Sequence, residues 1–519
     1  MRRMPLAALV LAGLAWPSGA AAQVDPVPAP AAVSQLPSPV VRGDWPDPDI
    51  TEVDGVYYAV ATSGGWAPTF RILRSTDLRS WEIAGSVFRR PPAWAKDSFW
   101  APELAELPNG RYVVVYSAYP RRRPGRTWFC LGAATAPSPL GPWRDLGRPL
   151  RCTPRGAIDA TPVVDGDDFY LAYKEDGNAF DRPTPILLQR FAENGRKLLG
   201  KPRELIRNRP RSWERHVIEA PALMKRAGWW YMFYSGSLCC SPHCGYAVGV
   251  ARARVLMGPW ARYSGNPILR SGNGWRCPGH VSIVGDRIAF HAYRSGDFLT
   301  GRQLHLADLT YDAGGWPGVA GGSPLPPTDG AVPTAFDDPF AGAALDPEWE
   351  WPATRMPRVQ VAHGLTLTAP RKAGKRTDGG IVARRLGSER YTATAQIDLA
   401  HLGGKEVAGL AIVRGGPFEV GRQAIGVAVG ADRAVYRWRR ARGRYAAVRL
   451  PVRLTGPFAH LRVTADGHRV RFEYSADGVT WNGSSSARSP IEETARIALT
   501  AGGQRGASVQ FTRAALTER

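Results

Sequence analysis

Five short, aromatic-rich apolar segments recur at regular intervals along the first part of the chain. They span residues 57–61, 112–116, 169–173, 230–234 and 288–292. A turn that contains glycine, such as Asp54-Gly55 or Asn109-Gly110, comes directly before each segment. Such turns supply the positive φ that tight hairpins require. The pattern therefore predicts five hairpins, each with an apolar second strand.

One polar residue lies shortly before each of these hairpins. Successive members are 56, 56, 60 and 61 positions apart, and the set is Asp47, Glu103, Asp159, Glu219 and His280. A repeat of roughly 40 to 60 residues built from short strands and turns is typical of a β-propeller. The innermost strand of each blade lines the central channel, so the five polar side chains are expected to converge on one axis.

The pattern changes after a segment rich in glycine and proline. From residue 335 onward, short stretches of alternating polar and apolar residues dominate, for example 391–397 and 461–464, and long helical periodicities are missing. Such alternation favours a β-sandwich. The chain is thus predicted to be all-β, with a five-bladed propeller over residues 40–316, a linker over 317–334 and a sandwich over 335–519.

The first residues have the pattern of an export signal. Arg2 and Arg3 precede an apolar run over 6–16 and a small-residue cleavage site at 20–22. Residues 1–22 are therefore interpreted as a signal peptide, and 23–39 as a linker rich in proline and alanine. The apolar run is too short to cross a bilayer. A secreted or periplasmic protein, with no membrane association after cleavage, is expected.

Six cysteines fit an oxidising compartment. An even number of cysteines in an exported chain favours disulfides. Cys130 and Cys152 are close enough in sequence to pair. Cys239, Cys240, Cys244 and Cys277 would then share two more bridges between a loop of the fourth blade and the start of the fifth. A zinc site is the alternative, but the paired Cys-x-x-Cys spacing is missing.

The net charge of +22 comes mainly from arginine. A strongly basic chain is often a nucleic-acid-binding protein. Here the arginines are scattered through both halves and no nucleic-acid-binding motif is present, so nucleic acid is not expected as a partner. Attraction to an acidic polymer such as pectin is the alternative meaning of the charge.

Three carboxyl groups stand in contexts that favour function. Glu219 lies inside the apolar run 217–223, and Asp159 has similar neighbours. A buried, unpaired carboxylate is costly, so it is seldom kept without a role. Asp47 lies in a proline-rich turn, where aspartate is common as a capping residue. Asp47 holds the same position in the repeat as the other four channel residues, and this favours function. Asp49 is expected to point away from the channel or to brace the loop.

Several motifs resemble glycoside hydrolase family 43. They keep their order and spacing over about residues 40–315, and they are Trp45-Pro46-Asp47-Pro48-Asp49-Ile50, Trp100-Ala101-Pro102-Glu103, Ile158-Asp159, Glu219-Ala220-Pro221 and Trp275-Arg276-Cys277-Pro278-Gly279-His280. The segment Phe336-Asp337-Asp338-Pro339-Phe340 is similar, more loosely, to the start of the concanavalin-like (jelly-roll) sandwich of the β-xylosidase-type members.

The resemblance implies an inverting acid/base mechanism. Asp47 would be the general base, Glu219 the general acid, and Asp159 the residue that raises the pKa of the acid and orients it. Inverting enzymes place the acid and base carboxyls roughly 6.5–9.5 Å apart, with a water between them. No cofactor is required. In some members the histidine at the position of His280 helps to hold a structural calcium ion in the channel, partly through water. A hydrogen-bonded core histidine is the alternative for His280.

Five further residues are candidates for substrate binding: Trp66, Trp100, Glu103, His291 and Arg294. The two tryptophans could stack on a sugar face, and an ordinary packed loop tryptophan is the alternative for Trp66. Glu103 could bind sugar hydroxyls or be a structural residue of the channel wall, and Arg294 could pair with the acid cluster or bind sugar hydroxyls. The expected partner is an oligo- or polysaccharide, and the expected activity is release of terminal β-D-xylosyl or α-L-arabinofuranosyl residues. The alternatives are an endo-acting arabinanase of the same fold and a non-catalytic carbohydrate-binding propeller.

Overall fold

The structure is a computed structural model that describes residues 36–122, 128–241, 243–328, 334–416, 422–442, 444–483 and 486–519. The predicted signal peptide therefore lies outside the described residues. The described part is almost entirely β, which confirms the predicted fold class. Its helical elements are single 3₁₀ turns at Gly177–Phe180, Ala320–Gly322, Arg371–Ala373 and Leu399–His401. Within the same ranges, no helix has the length and apolar character needed to cross a membrane.

Residues 49–319 form five consecutive antiparallel sheets. The first contains β1 (Asp49–Val53), β2 (Val56–Val60), β4 (Thr69–Ser75) and β5 (Glu82–Phe88). The second contains β6 (Ala95–Glu106), β7 (Tyr112–Pro120), β8 (Cys130–Ala136), β9 (Arg144–Asp145) and β10 (Arg151–Cys152). The third contains β11 (Ala157–Asp165), β12 (Asp168–Glu175), β13 (Pro185–Phe191) and β14 (Leu198–Arg207).

The fourth and fifth sheets complete the series. The fourth contains β15 (Ile218–Arg226), β16 (Trp229–Gly236), β17 (Ala247–Ala253) and β18 (Ala261–Arg262). The fifth contains β19 (Trp275–Val284), β20 (Arg287–Arg294), β21 (Asp297–Tyr311) and β22 (Pro317–Val319). The first strands β1, β6, β11, β15 and β19 contact one another in that order, and β19 contacts β1. The sheets thus close into a ring around a central channel.

The predicted hairpins supply the first two strands of each sheet. Asp54 and Gly55 both have positive φ, 50° and 74°, as a tight turn requires. The apolar segments become β2, β7, β12, β16 and β20, which lie inside their sheets and are largely buried. They pack between neighbouring sheets, and this packing holds the blades together.

Residues from 336 onward form two further sheets that pack face to face. One contains β23 (Phe336–Asp338), β25 (Arg358–Val361), β26 (Leu365–Thr368), β28 (Arg390–Asp398), β33 (Phe458–Asp466), β34 (Arg469–Ser475), β35 (Asn482–Gly483), β36 (Ala487–Arg488) and β38 (Ser508–Glu518). The other contains β27 (Gly380–Arg385), β29 (Val407–Arg414), β30 (Ala424–Gly430), β31 (Ala434–Ala441), β32 (Arg444–Arg453) and β37 (Ala495–Gly502). Alternate residues of β28 and β33 are buried in the core between them, as the alternating pattern predicts.

The sandwich is joined to the first propeller sheet by backbone and by buried charge. The short strand β3 (Trp66–Ala67) pairs with β24 (Trp351–Pro352) of the sandwich side. Glu350, which is buried, contacts Arg71 of the propeller at 3.5 Å and also contacts Arg496. Arg496 lies 3.0 Å from Asp44, just before the predicted base. The sandwich therefore packs directly on the segment that leads to Asp47.

The described parts of the two predicted linkers also pack on the propeller. Leu36 and Val40 belong to a core cluster with the first and fifth sheets. The Ser38 hydroxyl donates to the carbonyl of Leu325 at 2.8 Å, and the Trp275 indole N–H donates to the same carbonyl at 3.0 Å. These contacts bring the two segments together beside the fifth sheet.

Three disulfides include all six cysteines. Cys130 pairs with Cys152, in agreement with the sequence analysis. Cys244 pairs with Cys277 and ties the loop after β16 to the start of β19. Cys239 pairs with its neighbour Cys240. The fourth and fifth sheets are therefore linked by one bridge rather than two, because the adjacent cysteines close a bridge within their own loop.

Candidate active site

The same local distortion places the polar residues on the inner strands. The pairing register shifts between Trp100 and Glu103 in β6, and equivalent shifts occur in the other inner strands at Ile158/Thr161, Glu219/Ala222 and Gly279/Ser282. Asp47, Asp159 and His280 have φ of 54°, 54° and 51°. A β-bulge bends its strand and re-aims a side chain. The regular spacing seen in sequence is therefore the spacing of these bulges.

The neighbouring sheet supports these bulges. The backbone N–H groups of Asp159 and His280 donate to the hydroxyls of Ser117 and Ser235, at 3.1 and 2.8 Å. The N–H of Asp47 donates in the same way to Nδ1 of His291, at 3.0 Å. In all three cases the acceptor lies on the second strand of the preceding sheet in the ring. These bonds stabilise a backbone conformation that non-glycine residues seldom adopt.

Asp47 is buried among positive and hydrogen-bonding groups. Arg302 Nη1 lies 2.7 Å from Oδ1, and the Thr62 hydroxyl donates to Oδ2 at 2.7 Å. Nδ1 of His280 lies 3.5 Å from Oδ1. Burial alone would raise the pKa of Asp47, but the charge of Arg302, aided by the two histidines and Thr62, holds it well below its usual range. Asp47 is therefore ionised at neutral pH.

His291 is neutral, with a fixed tautomer. Its Nδ1 accepts the Asp47 N–H, so this nitrogen carries no proton, and its 3.3 Å approach to Oδ1 of Asp47 is not an ion pair. Burial, and then the charge of Arg302, lowers the pKa of His291 well below its usual value. The proton is on Nε2, which is buried and has no hydrogen-bond partner in the described part of the chain. A sugar hydroxyl or a water would satisfy this donor.

Glu219 lies on the other side of the channel between two donors. The Tyr246 hydroxyl donates to Oε1 at 2.8 Å, and Lys174 Nζ donates to Oε2 at 2.6 Å. Lys174 is buried and also contacts Asp176 at 2.9 Å. Burial alone would lower the pKa of Lys174, but Glu219, Asp176 and Asp159 raise it above its usual value. Glu219 is thus held by a permanent cation and a phenol.

Asp159 lies beside Glu219 and contacts the peptide that follows it. Its Oδ2 accepts the N–H of Ala220 at 3.2 Å. Burial, and then the charge of Glu219, raises the pKa of Asp159 well above its usual value, although Lys174 opposes this. The raised pKa favours the protonated form of Asp159 beside Glu219.

Glu103 and Asp49 form a second carboxyl pair. Oδ2 of Asp49 accepts the N–H of Leu104 at 2.7 Å, so Asp49 braces the first two sheets as the sequence analysis expected. Burial raises the pKa of Asp49 to about 7. Burial, and then the charge of Asp49, raises the pKa of Glu103 well above its usual value. Burial therefore favours the protonated forms of both carboxyls.

Two predicted substrate contacts are placed differently from the sequence analysis. Trp66 is 1% exposed, and its indole N–H donates to the carbonyl of Gly415 in the sandwich at 3.0 Å, so its ring face is not available to a sugar. The arginine that contacts a channel carboxylate is Arg302, whereas the guanidinium of Arg294 lies 5.3 Å from the centre of the Trp275 ring. Trp100 is half-buried, and its ring centre lies 4.2 Å from that of Phe129.

The structure adds functional residues that the sequence analysis missed. Arg302, Lys174, Tyr246 and Thr62 contact the carboxylates directly. Lys174 could have been predicted from the sequence, because it continues an apolar strand, where a charged residue needs a partner. Arg302, Tyr246 and Thr62 belong to no motif in the sequence.

The channel residues do not form a direct metal site. In the described ranges, no group of three or more His, Cys, Asp or Glu is arranged to hold a metal ion. The guanidinium of Arg302 lies against Asp47, where a second cation would be repelled. Calcium held partly through water at His280 stays a prediction, and no step proposed below depends on it.

A small pocket lies beside the base, between propeller and sandwich. Its volume is about 20 Å³, and its lining includes Pro46, Thr62 and Arg302 from the propeller and Glu493 and Thr494 from the sandwich. This volume is enough for one water. The sandwich therefore forms part of the wall on the side of Asp47.

An ionised carboxylate held by arginine, facing a pair of carboxyls in which burial raises the pKa of Asp159, is an arrangement suited to hydrolysis of a glycosidic bond. The fold and the site thus define a glycoside hydrolase. Residues 36–317 match the family described as Glycosyl hydrolases family 43, and residues 337–502 match the Beta xylosidase C-terminal Concanavalin A-like domain. The chain belongs to glycosyl hydrolase family 43.

Relatives within this family have different named activities. Extracellular endo-alpha-(1->5)-L-arabinanase 1 of Bacillus subtilis is 28% identical over 52% of this chain and 86% of its own length. Extracellular exo-alpha-(1->5)-L-arabinofuranosidase ArbA of Cellvibrio japonicus is 26% identical over 53% of this chain and 86% of its own. The crystal structure of a family 43 protein from Bacillus licheniformis superposes with a TM-score of 0.77 at 18% identity, covering 93% of this chain and all of that one.

Proposed function

We propose that the protein is an exported enzyme that releases terminal β-D-xylosyl or α-L-arabinofuranosyl residues from hemicellulose or pectin fragments, with inversion at the anomeric carbon. The observation that carries this proposal is the contact of Arg302 with Asp47 opposite the pair of Asp159 and Glu219. This contact keeps one carboxylate ionised, while the raised pKa of Asp159 favours a protonated carboxyl on the other side of the channel.

Asp47 serves as the general base. Arg302 and Thr62 each bind one of its oxygens, so the carboxylate is ionised and cannot rotate freely. It accepts a proton from a water as the oxygen of that water forms a bond to the anomeric carbon. Nδ1 of His291 accepts the N–H of Asp47 and helps to fix the backbone of the base.

Glu219 serves as the general acid. It gives its proton to the glycosidic oxygen as the bond between this oxygen and the anomeric carbon breaks. Asp159 accepts the peptide N–H that follows Glu219, and the Tyr246 hydroxyl donates to Oε1 of the acid. After the reaction Asp47 carries the proton from water, and the leaving sugar carries the proton from Glu219.

Release from chain ends is favoured by the position of the sandwich. Its residues Glu493 and Thr494 help to close the wall on the base side, where the remaining space of about 20 Å³ is enough for one water. Endo action on arabinan is the second candidate, because an endo-arabinanase is among the relatives found over the propeller. An endo enzyme needs a groove that continues past the channel on both sides.

Export is proposed on two grounds. Three disulfides suit an oxidising compartment, and two relatives are named as extracellular proteins. Detection of the processed protein in the medium or periplasm, with an N-terminus near Gln23, would support it. Full-length protein in the cytoplasm would contradict it.

The test is a comparison of initial rates on aryl β-D-xylopyranoside, aryl α-L-arabinofuranoside and debranched arabinan. We expect one of the aryl glycosides to be hydrolysed, and Asp47→Asn to lose at least about a thousandfold in kcat/KM, a loss at the scale of general acid–base catalysis. Hydrolysis of arabinan alone would favour the endo reading. No hydrolysis of any of the three would favour a carbohydrate-binding propeller.

A further inference from the structure

A second, larger cleft opens beside the general acid. It lies over the fourth sheet between the loops before β15, after β16 and after β18, with a volume of about 580 Å³. Its lining includes Trp213, Arg215, Leu238, Tyr246 and Arg270. Tyr246 is also the residue whose hydroxyl donates to Oε1 of Glu219. Tyr246 therefore connects the lining of the cleft to the acid side of the channel.

The lining of this cleft is basic. It contains two arginines, Arg215 and Arg270, and neither aspartate nor glutamate. Both are exposed, and neither forms an ion pair within the ranges that the structure describes. Arg270 donates to its own loop, at the carbonyl of Pro267. Other exposed arginines of the propeller, such as Arg190 and Arg226, are paired with aspartates.

The walls of the cleft are apolar and held in place. Leu238 is 61% exposed and lines the cleft. Its loop contains the Cys239–Cys240 bridge and is tied to β19 by the Cys244–Cys277 bridge. The ring of Trp213 is stacked on Tyr234, with 5.7 Å between centres. A preorganised apolar wall lowers the entropic cost of binding.

We propose that this cleft binds the sugar on the leaving-group side of the scissile bond. Arg215 and Arg270 would bind the carboxylate of a uronic acid that this sugar carries. The inference rests on the proposed function, because it assigns the cleft from the position of the acid. An acid protonates the leaving oxygen, so the leaving sugar must lie next to Glu219. Guanidinium groups bind carboxylates through paired N–H donors, and the C–H faces of a sugar can pack on Leu238 and Trp213.

The test uses two matched oligosaccharides. One is a xylo-oligosaccharide whose second sugar carries a glucuronic acid, and the other is the same compound after reduction of the carboxyl to a primary alcohol. We expect tighter binding of the acidic compound to Asp47→Asn, measured by calorimetry. Addition of Arg215→Gln and Arg270→Gln should weaken that binding by about 10- to 100-fold, the range of charge-assisted hydrogen bonds. Binding of the reduced compound should not change.

Arg203→Gln is the control, because it removes an exposed arginine from β14, outside the cleft. It should leave both affinities unchanged. Equal affinity of Asp47→Asn for the two compounds would overturn the proposal, as would an equal loss for both in the double arginine variant. Because binding is measured without turnover, this outcome is distinct from failure of the proposed hydrolysis, which the aryl glycoside rates decide.

Discussion

Replacement of Arg302 by methionine tests the electrostatics of the proposed base. The guanidinium is buried and lies 2.7 Å from Oδ1 of Asp47, so the variant keeps the bulk of the side chain and removes its charge. A hydrogen bond between charged groups is worth about 1.5–3 kcal/mol, and about 1.4 kcal/mol corresponds to one pH unit. Burial, which raises the pKa of Asp47, would then be less opposed. The pKa should rise by about 1–2 units.

The measurement is the pH dependence of kcat/KM on the preferred aryl glycoside, whose acidic limb reports protonation of the base in the free enzyme. In Arg302→Met this limb should move to higher pH by about 1–2 units. Arg294→Met is the matched control, because that guanidinium packs over Trp275 and not against the carboxylates. An acidic limb that stays in place in Arg302→Met, or moves equally in both variants, would refute the reasoning.

Three further predictions concern stability, measured by urea unfolding. Lys174→Met leaves buried carboxylates without their cation and should cost about 3–5 kcal/mol, whereas the exposed pair lost in Lys225→Met should cost at most about 1 kcal/mol. Arg496→Met should likewise cost about 3–5 kcal/mol, whereas the exposed Arg513→Met should cost at most about 1 kcal/mol. Equal losses of stability for the buried and the exposed variant, in either comparison, would contradict the role of burial. Asp49 has a folded pKa raised from 3.8 to about 7, so its contribution to stability is complete below 3.8 and is lost as the pH rises through 7. Asp49→Asn should therefore flatten the pH dependence over this window, and an unchanged slope would count against the raised pKa.

Arg496 also connects the sandwich to the proposed base. Arg496 contacts Oδ2 of Asp44, and Oδ1 of Asp44 accepts the N–H of Arg302 at 3.1 Å. The guanidinium of Arg302 in turn contacts Asp47. The sandwich is thus connected to the base through two residues, which explains why it packs on the propeller through buried charges as well as apolar surface.

Local features of the sequence were sufficient to place the strands. Asp54-Gly55 and Asn109-Gly110 precede apolar segments that became β2 and β7, because a positive-φ turn followed by a buried strand can be satisfied by a hairpin alone. The spacing of the channel residues was equally local, since the inner strands of the second to fifth sheets repeat a bulge at the same place. Cys130 and Cys152, which lie in neighbouring strands of one sheet, could be paired for the same reason.

Contacts between distant blades could not be predicted from such local features. Arg302 and Asp47 are 255 positions apart and meet only because the fifth sheet closes the ring against the first. Trp66 has the sequence context of an exposed loop tryptophan, yet the sandwich covers it. Arg294 ends the strand that carries His291, and its guanidinium lies over Trp275, its partner in the neighbouring strand. Such choices depend on how whole sheets pack.

The all-β fold, the order of its strands and the polar positions of the channel follow from side-chain alternation and turn conformation, which act over a few residues. The partners of these polar residues depend on contacts between sheets that are far apart in sequence. Arg302 beside Asp47 and Lys174 beside Glu219 come from different strands or sheets. Their charges shift the balance between ionised and protonated carboxyls because burial removes the screening of water. The balance between ionised and protonated carboxyls therefore depends on the closure of the five sheets into a ring.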